Sequence, residues 1–127
     1  MPFPPEPPPP PPDIDEHRAL IDQWAAFTAD LPEGTIFDLD NWLNDVDIRQ
    51  LIHEASLMFS PDDLGEHAHK LEAADRAFML ATHAVDKCLW GRKTARREKW
   101  KADKNWWYFR ATNRSNPQLD EEIARVK

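Results

Sequence analysis

"RKTARREKWKADKNWWYFRA" runs from Arg92 to Ala111, and the way it is read decides the fold. It contains neither Pro nor Gly, and Thr94 is its one β-branched residue, so the spacing predicts a helix over 92–111. On that helix Ala95, Ala102, Trp106 and Phe109 share one face, which reads as core packing. Arg96, Trp100, Lys104, Trp107 and Ala111 share another, alternating cation and indole at i, i+4 steps. Each indole there lies within reach of a cation, a geometry suited to cation–π contact. A fully buried Trp covers about 150–250 Å², so a bare second face would be an apolar patch large enough to mark an interface. Three covers are open: this chain's own acidic helices or proline arm, a protein partner gripping a Trp/Arg hot spot, or single-stranded nucleic acid stacking on the rings. The expected partner-binding residues are Arg96, Trp100, Lys104 and Trp107, with Arg92, Lys93 and Arg97 adding charge.

Upstream of this segment the pattern is helical as well. A first helix is predicted from Asp13 to Asp30, opened by a capping-box-like Asp13/Glu16 pair and striped by Leu20, Ile21, Trp24, Phe27 and Leu31. Pro32 and Gly34 make a turn. A second helical region covers Asp38 to Phe59. Its stripe of Leu39, Trp42, Leu43 and Val46 changes phase to Ile48, Leu51, Ile52, Ala55 and Phe59, which predicts a kink or break near Asp47. "SPDD" at 60–63 is the sharpest start signal: Ser60 as N-cap, Pro61 at the first helical position and Asp63 closing a capping box. The helix it opens carries an apolar stripe to Leu89, about 30 residues or ~45 Å, with Gly91 as a C-cap or hinge. "SNP" at 115–117 starts a short tail helix bearing Leu119, Ile123 and Val126. The fold class is therefore all-α: a small bundle of three to four main helices.

Residues 1–12 are a separate object. Nine of the twelve are Pro, which removes N–H donors and fixes φ. This arm should be polyproline II, about 35–40 Å long at ~3.1 Å per residue. It is either a stiff tail or a ligand for an aromatic groove. The division is thus a 1–12 arm, a 13–115 bundle and a 116–127 tail helix.

The totals narrow the classes. With 127 residues the chain is one domain. Cys88 is the lone cysteine, so no intrachain disulfide or Cys-based zinc site can form, in keeping with a reducing compartment. No apolar run reaches the ~20 residues of a membrane span, and the N-terminus lacks the basic and apolar regions of a secretory signal. The expectation is a soluble intracellular, cytoplasmic protein. The net charge of −7 conceals a division: residues 1–86 hold 18 acidic and 4 basic side chains, residues 87–127 hold 5 and 12. Such asymmetry hints at nucleic acid, but the two halves can also attract one another within the fold.

Catalytic constellations are incomplete. No Gly-rich phosphate loop or GxSxG is present. "EHAH" at 66–69 supplies one Glu-x-x-His, whereas a di-iron bundle needs two; no metal or cofactor is expected. His69, Glu72, Arg76 and His83 would share one face of the long helix, or Glu72 and Arg76 would simply pair. The Arg76-x6-His83 spacing resembles the motif of HEPN-type ribonucleases, small helical bundles in which an Arg and a His act on RNA in a dimeric cleft, although Ala77 stands where that family carries a polar residue. That resemblance implies a metal-independent ribonuclease. The reading preferred here is a non-catalytic adaptor or accessory subunit, docking into a larger protein assembly through the aromatic–basic segment and the proline arm. The alternative is an RNA- or single-stranded-DNA-binding protein using the same segment; self-association of the exposed face is also open.

Overall fold

A computed structural model describes residues 13–33 and 38–127. The proline arm and Gly34 lie outside the described residues. Within them the protein is an all-α bundle with one minimal β ladder. Helices α1 (Ile14–Asp30), α2 (Leu39–Ser56) and α4 (Glu66–Ala81) form the bundle, with α1 packed against both others. A single turn, α3 (Pro61–Leu64), precedes α4. Strand β1 (Thr82–Ala84), a short α5 (Arg92–Glu98), a 3₁₀ turn (Trp106–Phe109), strand β2 (Arg110–Thr112) and α6 (Pro117–Arg125) complete the chain.

The helix starts follow from local chemistry. Asp13 caps α1 by accepting from Glu16 N at 2.7 Å. Ser60 and Asp63 form a reciprocal capping box, with Pro61 just inside it. Asn116 accepts from Leu119 N and opens α6, whose Leu119 is fully buried. The core is ring-rich: Trp24, Trp42 and Phe78 meet at centroid distances of 5.0 and 5.8 Å, drawing on all three bundle helices.

Four expectations are overturned. First, α2 is continuous through Asp47. Its buried residues wrap around the helix because α1 covers one side and the 3₁₀ turn another. Two superposed stripes look like one stripe that slips. Second, the long helix from Pro61 is divided: Gly65 takes φ +60° between α3 and α4, and α4 stops at Ala81. Third, Thr82–Ala84 pairs antiparallel with Arg110–Thr112, Thr82 opposite Thr112. Arg110 reaches back from β2 to close α4. Its Nη2 donates to Met79 O and Thr82 O, and its Nε donates to Thr82 Oγ1, which itself donates to Phe78 O. A helix whose last turn holds no basic residue thus receives its cation from elsewhere in the chain. Gly91, at φ +98°, begins α5 rather than ending a long helix.

The fourth correction is to the opening stretch. The helix predicted over 92–111 ends at Glu98, where Lys99 turns left-handed at φ +61°. Asn105 then ties the next turn, its Oδ1 accepting from Lys101 N and its Nδ2 donating to the buried Gln50 Oε1. A continuous helix would aim Trp106, Trp107 and Tyr108 100° apart in succession. The tighter 3₁₀ turn and the strand after it bring Trp107 and Tyr108 fully into the core instead.

Candidate functional site: a basic cleft beside α5

The aromatic cluster is mostly interior. Trp107 is 1% exposed and packs against His53, and Trp106 packs on Phe78 and edge-on to Trp107. The Arg49 guanidinium lies 4.8 Å from the Trp107 ring and 5.5 Å from Trp106. Arg49 also clamps Asp75 through Nε at 2.9 Å and Nη2 at 3.1 Å, and Asp75 accepts from Trp24 Nε1 at 3.0 Å. The cations that touch the Trp pair therefore come from α2 and not from neighbouring helical positions.

Tyr108 is held by Asp47, which accepts from its hydroxyl at 2.5 Å and from Trp90 Nε1 at 3.2 Å. Burial first, and the Asp47 carboxylate second, push the phenol far above its ordinary range, so it stays protonated. Trp100 packs on Tyr108 in a tilted contact, centroids 4.3 Å apart, and remains half-buried. Its backbone N–H donates to Ala95 O, which folds the chain back against α5.

That fold-back creates a cleft of about 820 Å³ on one side of α5. Lys87, Arg92, Arg96, Lys99, Lys101 and Lys127 line it; Trp100, Phe109 and Ala95 supply apolar surface, and Asp86 is its one acidic residue. The tail closes one end: Arg92 N donates to Lys127 O at 2.7 Å, and Lys87 Nζ donates to Val126 O at 3.0 Å. Burial raises the Cys88 thiol above its ordinary value, so this lining residue favours the neutral, unreactive form at neutral pH.

Of the seven residues expected to meet a partner, Arg92, Arg96 and Trp100 line this cleft. Arg97 lies on the other side of α5 beside Glu98. Lys93 and Lys104 are exposed outside the cleft lining, and Trp107 is buried. The single helical face that grouped Arg96, Trp100, Lys104 and Trp107 does not form, because α5 ends between them. Helical periodicity overlooked Lys87, Lys99, Lys101 and Lys127. The signal for three of them is the density of cations between 87 and 104; nothing local marks Lys127.

The two halves do not neutralise one another by pairing. Among the described residues every ion pair is either within 13–86 or within 87–127. Contacts across the divide are hydrogen bonds, such as those of Tyr108 and Trp90 on Asp47 and of the Arg110 guanidinium on Met79 O and Thr82 O.

The other histidine-bearing constellation is also rearranged. Arg76 is on α4, but His83 is on β1, where its Nδ1 lies 2.9 Å from Asn113 Oδ1. Arg76 and His83 thus do not occupy one helical face. His67 and Lys70 both meet Asp22 on α1. Among the described residues no group of three or more His, Cys, Asp or Glu is placed to hold a metal, and no helix is long and apolar enough to cross a membrane. Comparison with protein-family models, curated proteins and solved structures gives no match.

Proposed function

We propose that this protein is a non-catalytic adaptor or accessory subunit whose α5 cleft grips an acidic segment of a partner protein. The observation that carries this is the convergence of six basic residues on one cleft with a single acid among them, in a chain whose net charge is −7. Like charges gathered this closely repel, and the fold's abundant carboxylates are held elsewhere. An anionic partner relieves that repulsion and is steered to this basic cleft on a molecule of negative net charge. Trp100 and Phe109 add apolar contact of the kind that anchors interface hot spots.

Single-stranded nucleic acid is the second reading, favoured by the same rings under the same cations. It ranks below because Trp100 is half-buried in a tilted contact with Tyr108, which limits the ring surface left for a base, and because the bulk of the molecule repels a long polyanion.

Tryptophan fluorescence titrations with a short oligoglutamate and a short oligouridylate separate the two. The expected result is a Trp100-dependent change with oligoglutamate, absent in Trp100→Phe and lost in Arg96→Glu/Lys99→Glu. Tighter binding of the oligouridylate, falling steeply between about 50 and 200 mM salt, would transfer the cleft to nucleic acid. No response to either probe would end both readings.

A further inference from the structure

On the opposite side of α5 lies a second groove, of about 480 Å³, between that helix and α2. Its character differs from the basic cleft. Trp90, Trp100 and Tyr108 line it together with Leu51, and Asp47, Glu54 and Glu98 supply carboxylates against the one guanidinium of Arg97. Trp90 and Leu51 are exposed large apolar side chains, at 37% and 49%. The rings are held in advance: one Asp47 oxygen accepts from both Trp90 Nε1 and Tyr108 OH, and the buried Tyr108 backs Trp100 in a tilted ring contact. A preformed wall of flat rings is what a polyproline II helix recognises, since such a helix is already extended and loses little entropy on docking.

We propose that this groove is the receptor for the chain's own residues 1–12. Three observations select that occupant. The groove's carboxylates disfavour the strongly acidic ligand suited to the basic cleft, whereas residues 1–12 carry a single charged side chain, Glu6, and are otherwise uncharged. The arm's prolines accept hydrogen bonds and cannot donate, and the groove offers Thr94 and Arg97 as donors. The reach also suffices. The arm joins the fold at Asp13, and one turn into α1 His17 stacks on Phe59, just past the C-terminal end of α2. Twelve residues of polyproline II span about 37 Å at 3.1 Å each, against about 27 Å for the whole of α2. The arm can therefore turn past Glu54 and run along the groove.

The test uses the full chain labelled with fluorotryptophan and read by ¹⁹F NMR, the Trp90 signal being assigned with Trp90→Phe. Replacing Pro7 to Pro12 by Gly and Ser should shift the Trp90 resonance. Leu51→Lys, at an exposed position, should shift it in the same direction with the natural arm in place. Trp90 unmoved by both changes would overturn the proposal. So would a groove that stays empty in the intact chain yet binds an added proline peptide, since the occupant would then be another molecule. The readout does not involve Arg96 or Lys99, so failure of the basic-cleft reading leaves it intact.

Discussion

His17 shows how much can rest on one residue. It is fully buried against Phe59, and neither ring nitrogen has a hydrogen-bond partner. Burial first, and the nearby Arg49 charge second, hold its pKa below the ordinary 6.5. The unfolded chain therefore binds a proton in a pH range where the folded chain does not, so stability rises with pH across that range. Above about 6.5 the ring is neutral in both states and carries no protonation penalty, and that penalty grows as pH falls toward the depressed folded value. Urea midpoints measured from about pH 7 down to pH 5 should fall more steeply in the natural protein than in His17→Leu. At neutral pH the variant should be more stable by about 1 kcal/mol, because two unsatisfied nitrogens are gone. Parallel pH profiles would show that the ring is not held neutral. The position reads in sequence as a polar residue one turn before Ile21 on the apolar stripe of α1, and nothing local announces that Phe59 will enclose it.

At the scale of elements, starts and stops differ in kind. The starts of α1, α2, α3 and α6 were legible because each cap joins side chain to backbone within three residues. The stops were not. α4 ends where Arg110, about 30 positions further along, takes its last carbonyls, and α5 ends at a left-handed Lys99 with no Gly or Pro beside it. Glycine is required at Gly65 and Gly91, where φ is +60° and +98°. Around Gly65 an added Cβ meets nothing within 4 Å, and at Gly91 it meets Lys127 O at an ordinary 3.5 Å. The cost of Gly→Ala at either site is thus backbone strain, of about 1–3 kcal/mol. Urea denaturation should show that loss for both. Gly91→Ala should in addition weaken oligoglutamate binding, since α5 carries Arg92 and Arg96 into the cleft. A neutral Gly65→Ala would mean that the break between α3 and α4 relaxes into a continuous helix.

Across the whole molecule, Arg49 joins what the chain order separates. It pairs with Asp75 on α4 and lies over both rings of the 3₁₀ turn, and Asp75 holds Trp24 of α1. The pair is largely buried, with side-chain exposures of 12% and 23%. Removing one partner from such a pair leaves an uncompensated charge and costs about 3–5 kcal/mol. Arg49→Ala should lose that much, and its far-UV circular dichroism and Trp emission should still fall in one coincident transition. If emission were lost first, the C-terminal segment would be a separately unfolding unit instead of part of the core.

The sequence by itself determined the helical class, the positions of most helix starts, the identity of most core aromatics and the concentration of cations after Asp86. These are properties of residue type, of spacing within a turn or two, and of composition. Only the tertiary structure decided that the run from Arg92 to Ala111 breaks after one short helix, that Thr82–Ala84 is a strand, and that Lys87, Arg96, Lys101 and Lys127 share a cleft while Trp107 does not. The physical reason is that local helix preference changes free energy by tenths of a kcal/mol per residue, whereas burying Trp107 and Tyr108 together is worth several. A segment whose aromatics cannot all face the core from one helix gives up the helix.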